Sequence, residues 1–325
     1  MKKNKSLITI AIVLLVVIIA CVAGYFITTS IIENKLKKEK AAQEEYERQM
    51  TEPLYTLENY PKVDASLATQ PLTNAFIKNF TGDENIDVST LDYTNTHPGY
   101  LRLVDGEVDL IVVTQPSEDE LKYAADHGVE LDVTPVVKEG FVFYVNKENP
   151  VDSLTTDQIQ GIYSGEITNW KEVGGDDAEI IAYQRPRNSG SQTGMENLVM
   201  KDKTLMEPKT ENLLETMAQI VNYVSNYNNG KYSLGYSYLY YATTMFETID
   251  PEVASNIKLL AINDVKPTAE NIQAGSYPYN TAYYIVTRKG EAEDSPAYKL
   301  KEIMLSERGQ RVAQKAGYVP VTPVK

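Results

Sequence analysis

The chain has 325 residues, of which 42% are hydrophobic and 23% are charged, a composition typical of a globular protein large enough for two lobes. Its formal net charge of −14 argues against nucleic acid as a partner, because no net basic footprint is present. One cysteine (Cys21) and two histidines (His97 and His127) exclude an intrachain disulfide and leave no ligand spacing for a zinc site, so we expect neither a metal nor a cofactor.

The amino terminus is predicted to be a membrane element. An uncharged run over residues 7–32, flanked by lysines, is longer than the roughly 20 residues that span a bilayer as a helix and longer than the core of a cleaved signal peptide. Cys21 follows Ile18-Ile19-Ala20 as in a lipoprotein processing box, so lipidation of Cys21 is an alternative. We favour an uncleaved signal anchor over residues 1–32, because the sequence stays apolar after Cys21. Either reading predicts tethering to the cell membrane at the amino terminus.

Residues 33–52 are mostly charged residues, Ala and Gln, which predicts a solvated helical stalk. From about residue 60, helix and strand patterns alternate. We predict strands at 86–88, 108–113, 141–145, 234–236 and 282–286, and helices at 72–80, 100–104, 195–201, 210–226 and 296–315. Because the strands are almost continuously apolar, we expect an α/β fold with a mostly parallel sheet covered on both faces.

Two donor-rich turns precede predicted helices. Residues 187–194 (RNSGSQTG) combine an arginine, polar side chains and two glycines, and residues 66–71 (SLATQP) form the second turn. Hydroxyls and glycine-freed backbone N–H groups at a helix start, beside an arginine, form a cradle for a small oxyanion. The alternative is a surface turn that caps a helix through serine or threonine. If two α/β lobes closed on a ligand, the two turns would face one another in the crevice between them.

Two further stretches carry a resemblance to a known family. Residues 162–170 (IYSGEITNW) are similar to an I-(F/Y)-x-G-x-I-x-x-W pattern, and residues 317–320 (GYVP) are similar to the family's carboxyl end. With the Arg-x-x-Gly-Ser-x-Thr loop at residues 187–193, they resemble the phosphate-binding proteins of ABC importers, the PstS type of the periplasmic-binding-protein superfamily. The resemblance covers about residues 60–325.

The resemblance implies a two-lobed periplasmic-binding-protein-like fold of type II, preceded by the anchor helix. One lobe would contain residues 53–140 and 280–325, and the other residues 141–279. It also implies that the globular part lies outside the cytoplasm, holds phosphate between the lobes and delivers it to ABC permease subunits. The candidate ligand contacts are Ser66, Thr69 and the N–H of Gln70 in the first turn, Thr96 or His97 in a second loop, Thr114, and Arg187, Ser191, the N–H of Gln192 and Thr193 in the third loop.

Two positions depart from the family pattern. The family places an aspartate where this chain has Thr114, and that carboxylate accepts a hydrogen bond from protonated phosphate and repels ionised sulfate. A threonine hydroxyl donates or accepts, so we expect it to penalise sulfate far less. Gln192 replaces a usual glycine. The expected ligand is therefore phosphate or a related small tetrahedral oxyanion.

The predicted function is that of a membrane-tethered solute-binding protein for an ABC importer. An enzyme is disfavoured, because no Gly-x-Ser-x-Gly elbow surrounds Ser191 and a catalytic base is scarce. The alternative is a membrane-anchored sensor or scaffold that keeps the fold with a changed or lost ligand.

Overall fold

The computed structural model describes residues 2–226 and 230–324, and it divides the chain into two compact units at Glu52 and Pro53. The first unit is one continuous helix, α1 (Lys2–Thr51), which contains both the predicted anchor and the predicted stalk. The side chains of residues 2–13, 20, 21 and 23 lie outside the described part, so the lipidation predicted for Cys21 stays untested.

Helix α1 changes character along its length. Among the described residues, the segment Leu14–Thr51 is the one helix long and apolar enough to cross a membrane, a test that a signal sequence also passes. Its carboxyl-terminal part carries ion pairs one helical turn apart, including Lys35 with Glu39 at 3.8 Å and Arg48 with Glu45 at 2.8 Å. Such pairs stabilise a solvated helix, and the division into anchor and stalk stays a prediction.

The second unit, residues 53–325, alternates short strands and helices. Its strands are β1 (Val63–Ala65), β2 (Leu110–Val113), β3 (Leu131–Asn146), β4 (Ser153–Leu154), β5 (Ile181–Ala182), β6 (Ser233–Tyr238), β7 (Ile257–Leu259), β8 (Ala261–Ile262), β9 (Asn280–Arg288) and β10 (Val319–Pro320). Its helices are α2 (Gln70–Thr81), α3 (Thr96–Val104), α4 (Glu118–Asp126), α5 (Thr156–Ser164), α6 (Gly190–Gly194), α7 (Met217–Asn226), α8 (Phe246–Ile249), α9 (Pro251–Ala254), α10 (Ala269–Ala274), α11 (Pro296–Leu305) and α12 (Glu307–Lys315).

Helix α2 shows how the sequence sets these boundaries. Pro71 occupies the first turn, where its missing N–H costs nothing. Leu72, Phe76 and Phe80 recur every four residues and form the buried face. Gly82 then ends the helix with φ of +68°, a conformation that disfavours residues with a side chain.

The main sheet has the strand order β1-β2-β9-β3-β6-β5, with β10 and β7 also pairing with β3. Strand β3 connects the two halves of this sheet. Its residues up to Gly140 pair with β9, and its residues from Phe141 onward pair with β6. The lobe boundary predicted at residue 140 falls at this change of partner. The division into two lobes stays a prediction.

The prediction of a mostly parallel sheet is wrong. Five of the eight strand pairings in the described residues are antiparallel, including every pairing of β3. Continuous apolar strands indicate burial on both faces, and β3 reaches that state while running antiparallel to its neighbours, with Phe141–Val145 all buried. In this protein, a continuous run of apolar residues therefore indicates that a strand is buried on both faces, but it does not indicate whether the strand is parallel to its neighbours.

Three predicted elements also differ in detail. Residues 86–88 do not form a strand, and a short 3₁₀ turn follows at Val88–Thr90. The helix predicted over 210–226 begins only at Met217, after a 3₁₀ turn at Thr210–Asn212. The last helix is two helices, because Ser306 ends α11 and caps α12 through a hydrogen bond from the Gly309 N–H to its Oγ.

Candidate functional site

A cavity of about 410 Å³ opens beside the ends of several strands. The residues that line it come from the turn after β1 (Ser66, Leu67, Ala68), the segment at the start of α3 (Thr94, Asn95, Thr96, His97, Pro98), Thr114 after β2, the loop after β5 (Arg185, Pro186, Arg187, Asn188, Ser189, Gly190, Ser191), Glu215, Thr216 and Met217, and Tyr238. These are the turns at which α/β sheets place their ligands. Six of the predicted contacts line it: Ser66, Thr96, His97, Thr114, Arg187 and Ser191.

Of the ligand contacts predicted in the first loop, Ser66 lines the cavity, whereas Thr69 and Gln70 form hydrogen bonds with backbone carbonyl oxygens. The Thr69 hydroxyl is completely buried and hydrogen-bonds to the carbonyl oxygens of Ser66 and Val112. The N–H of Gln70 donates to the Ser66 carbonyl oxygen at 3.0 Å. Thr69 and Gln70 therefore shape the turn, and neither lines the cavity.

The second loop is locked onto the first by two side chains. The buried Asp64 carboxylate accepts hydrogen bonds from the Thr94 N–H at 2.7 Å and from Arg102 at 2.7 Å. Asn95 adopts a φ of +94°, an uncommon conformation for a residue other than glycine, and its Oδ1 accepts from the Leu67 N–H at 3.2 Å. These contacts bring Thr96 and His97 to the cavity wall.

His97 forms a pair with an acidic residue behind the wall. Its Nδ1 lies 3.0 Å from Oε1 of Glu120, whose side chain is completely buried. Glu120 is also the partner of Ser117 in the capping box of α4, and burial raises the pKa of its carboxyl group. His97 is thereby oriented by α4, with about a third of its side chain exposed.

The closest approach across the cavity floor is between Gly190 and two threonines. A Cβ atom at position 190 would lie 2.6 Å from Thr114 Oγ1 and 2.9 Å from Thr96 Oγ1. Such contacts are too short for any side chain, so glycine is required at this position. The carbonyl oxygen of Gly190 accepts a hydrogen bond from the Tyr238 hydroxyl at 3.0 Å, which fixes the approach.

Two of the helices that begin at the cavity have no side-chain cap, whereas α7, which also begins there, is capped by Thr216 through a hydrogen bond from the Gln219 N–H to its Oγ1 at 3.1 Å. Helix α3 after Asn95 and helix α6 after Ser189 have no side-chain hydrogen bond at the N-cap. By contrast, α4, α5, α10, α11 and α12 are each capped by a serine or threonine, at Ser117, Thr155, Thr268, Ser295 and Ser306. Uncapped N–H groups and the positive end of the helix dipole favour an anion.

An unsatisfied donor lies at the same place. The buried hydroxyl of Ser189 has no hydrogen-bond partner in the described part of the chain, while the Thr114 hydroxyl interacts with the Tyr238 hydroxyl and that of Thr193, also without a partner, lies behind the cavity lining. Ser189 has the extended backbone of an N-cap residue, yet its Oγ does not cap α6. Buried polar groups are normally paired, so the Ser189 hydroxyl points to a ligand that completes its hydrogen bonds.

The cation that lines the cavity beside Ser189 is Arg185. Its Nη1 donates to Ser191 Oγ at 3.3 Å and its Nη2 to the Glu215 carbonyl oxygen at 2.8 Å, while its buried Nε has no partner. Among the described residues, no carboxylate forms an ion pair with it. Burial lowers the pKa of the Arg185 guanidinium, and the smaller opposing effects of nearby groups, the Glu215 carboxylate among them, do not offset it.

Arg187, the arginine predicted from the sequence, is placed differently. About two thirds of its side chain is exposed, and its Nη2 forms an ion pair with Asp119 Oδ1 at 2.8 Å. It borders the cavity at the rim and does not reach the unsatisfied hydroxyls by any hydrogen bond in the described residues.

The two remaining candidates in the third loop, Gln192 and Thr193, form hydrogen bonds within the protein and do not line the cavity. The Gln192 side chain accepts hydrogen bonds from the Tyr236 hydroxyl and from the Arg185 N–H, and it does not line the cavity. Thr193 is buried one turn into α6, and its N–H donates to the Ser189 carbonyl oxygen. Gln192 thus holds Arg185 in place, a positioning role that a glycine could not fill.

Sequence reasoning missed Arg185 and Ser189. Both lie in or beside the segment singled out, and Arg185 stands two residues before Arg187. Strand β5 contains only Ile181 and Ala182, so no strand pattern marked where this loop begins. The one signal in the sequence was a second arginine, Arg185, just after the apolar residues 180–183.

Comparison with known proteins places this fold in a family. A sequence profile described as the PBP superfamily domain matches residues 58–301, about three quarters of the chain. The chain belongs to the PBP superfamily. The phosphate-binding protein PstS of Bacillus subtilis is 26% identical over 268 residues, 81% of each chain, and that of Staphylococcus saprophyticus is 27% identical over 269 residues, 79% of each.

Solved structures of PBP proteins have the same fold. A protein from Clostridium perfringens with bound phosphate superimposes with a TM-score of 0.60 at 21% identity, covering 81% of this chain and 100% of that one. An ABC-type phosphate transport receptor from Vibrio cholerae gives a TM-score of 0.59 at 21% identity, covering 80% and 99%. At this identity the likeness establishes the fold alone, and the ligand must be argued from the cavity.

Proposed function

We propose that this protein is an extracytoplasmic solute-binding protein that captures phosphate, or a related tetrahedral oxyanion, and delivers it to the permease subunits of an ABC importer. Helix α1 would tether it to the membrane. The binding proteins named among its relatives support this class of function over an enzyme.

One observation carries the proposal: Arg185 is a partly buried cation whose buried Nε has no hydrogen-bond partner and which forms no ion pair with a carboxylate among the described residues. Isolating a charge from water is costly, and proteins pair buried charges unless a ligand does so. The groups around Arg185 are hydroxyls and uncapped helix starts, all of which can donate hydrogen bonds. A small anion would satisfy the charge and the donors together.

The energetics of such a site suffice for uptake. A hydrogen bond to a charged group contributes roughly 1.5–3 kcal/mol net. Micromolar affinity requires about 8 kcal/mol. Arg185, Ser189, Thr114 and the N–H groups at the start of α6 offer enough such bonds, even after the costs of desolvation and closure.

Calorimetric titration tests the proposal. The full chain in detergent micelles, dialysed exhaustively against phosphate-free buffer, is titrated with phosphate and then with sulfate at neutral pH. Micromolar or tighter phosphate binding is expected. If neither anion binds, the proposed function is wrong, and a sensor or scaffold with a different ligand takes its place.

Thr114 is expected to set the selectivity of the site. The cavity has no carboxylate near Thr114 among its described lining residues, and Glu215 lies exposed at the rim. Protonated phosphate therefore finds no carboxylate there to accept a hydrogen bond from its proton, and sulfate meets no carboxylate that would repel it. Thr114→Asp supplies one, and we expect it to raise the ratio of phosphate to sulfate affinity by about tenfold or more.

The matched control is Thr114→Asn, which has the same shape and an acceptor oxygen but no charge. The two ratios are measured by the same titrations at neutral pH. If Thr114→Asp and Thr114→Asn change the ratio of phosphate to sulfate affinity equally, carboxylate repulsion at this position does not govern selectivity.

A further inference from the structure

Both oxygens of the Asp119 carboxylate are engaged by the third loop. Arg187 Nη2 lies 2.8 Å from Oδ1, and Asn188 Nδ2 donates to Oδ2 at 3.0 Å. We call these three residues the Asp119 latch.

The latch joins opposite walls of the cavity. Asp119 lies in the first turn of α4, shortly after the wall residue Thr114, whereas Arg187 and Asn188 belong to the wall formed by the loop after β5. A second hydrogen bond lies close in sequence to these residues: Asn197 Nδ2 donates to the Pro116 carbonyl oxygen at 3.4 Å. Separating the two walls at the rim requires breaking these bonds.

The loop is shaped for this contact. Asn188 has a φ of +64°, a left-handed conformation that asparagine tolerates better than most residues. This turn sends Arg187 toward the rim, while Arg185, two residues earlier, remains inside. The two arginines therefore have different surroundings: Arg187 is exposed and forms an ion pair, whereas Arg185 is partly buried and forms no ion pair among the described residues.

We propose that Asp119 is a positioning residue that holds the 187–188 segment over the cavity, so that Asp119 and Arg187 determine how long the bound anion is retained. This inference rests on the proposed function. Closure of two walls around a ligand is an equilibrium between open and closed populations, and a latch shifts it toward the closed form. Arg187 then acts on release and does not contact the anion.

The charge state of Asp119 fits this role. Its hydrogen bond from Asn188, together with the charge of Arg187, lowers the pKa of its carboxyl group. His97 also favours the carboxylate, whereas the Glu196 carboxylate interacts with Asp119 and opposes it. Asp119 is therefore ionised at neutral pH and able to hold both partners.

Stopped-flow fluorescence energy transfer on the full chain in detergent micelles tests the latch. Labels are placed at Glu84→Cys and Asp202→Cys, two exposed positions, in a Cys21→Ser background. With phosphate as the probe, we expect Asp119→Asn to raise the dissociation rate constant about three- to tenfold and to change the association rate constant less than about twofold. Asp119→Glu, which keeps the charge, is expected to restore most of the slow release.

Combining Asp119→Asn with Arg187→Ala separates the latch from direct ligand contact. Because Asp119→Asn already breaks the contact with Arg187, the double variant should release phosphate no faster than the Asp119→Asn single variant. Multiplied effects would overturn the inference, since they would place Arg187 on the anion. An unchanged dissociation rate in Asp119→Asn would overturn it as well.

A ligand-free measurement keeps this test independent of the proposed function. Without any anion, Asp119→Asn should lower the energy-transfer efficiency between the two labels, because the open population grows. If the parent protein binds neither phosphate nor sulfate but this shift is seen, the proposed function fails and the latch stands. If the efficiency is unchanged, the latch fails.

Discussion

Replacing Arg185 with glutamine is expected to weaken phosphate binding by at least about a hundredfold while making the ligand-free protein more stable. The loss of affinity follows from removing the partly buried cation that lines the cavity beside Ser189 and Ser191, a change of about 3 kcal/mol or more. The gain in stability follows because the ligand-free protein no longer desolvates a guanidinium that forms no ion pair among the described residues, which is expected to contribute about 1 kcal/mol. Binding sites commonly trade stability for function in this way.

Titration calorimetry gives the affinity, and chemical unfolding of the phosphate-free protein gives the stability. The matched control is Arg187→Gln, which removes an exposed and paired arginine two residues away. That control should lose less than about tenfold in affinity. Equal losses in the two variants would contradict the assignment of Arg185 as the principal cation.

Glu139 is expected to make the stability of the protein fall as the pH rises toward 8. This residue lies on β3 and is almost fully buried, and burial raises the pKa of its carboxyl group to about 8. Its Oε1 accepts hydrogen bonds from the Gly140 N–H at 2.8 Å and from the Tyr240 N–H at 3.4 Å, which only partly offset the desolvation. In the unfolded chain a glutamate has a pKa of about 4.3.

Between these two values the folded protein keeps a proton that the unfolded chain has lost. The free energy of unfolding therefore decreases with rising pH in this window, by at most about 1.4 kcal/mol per pH unit; outside the window Glu139 adds no further pH dependence, although the loss persists above it. Glu139→Gln keeps the shape and removes the titration. We expect it to flatten the pH dependence from about pH 5 to 8 and to stabilise the protein most at the alkaline end.

Unfolding is followed through Trp170, the single tryptophan, which is buried against the main core. Glu84→Gln, at an exposed position, is the control. A variant at position 139 whose stability still falls with pH as steeply as that of the parent protein would show that another group carries the dependence.

The strongly periodic parts of the fold could be predicted from the sequence. Helix α2 and strands β2, β6 and β9 were located within a few residues, because their apolar residues follow the period of the element that buries them. The first half of β3 was missed, since Asp132, Pro135 and Lys138 interrupt the apolar pattern. Strand direction depends on pairing between distant segments, which no local pattern contains.

The candidate site, too, could be predicted only in part from the sequence. Donor-rich turns before helices led to the region of the cavity, because hydroxyls and glycines near a helix start have a local chemical meaning. Which arginine turns inward could not be predicted, because Arg185 is held by Gln192 and by Tyr236 from another strand. Those contacts exist only in the folded chain.

The overall charge of the molecule has a kinetic consequence for this site. Its formal net charge is −14, so a divalent anion that diffuses toward the cavity is repelled at long range and attracted only near Arg185 and the helix starts. Salt screens the long-range field over about 8 Å at physiological ionic strength, and it screens a buried charge much less. Encounter should therefore become faster as ionic strength rises, the reverse of the usual behaviour of electrostatically steered ligands.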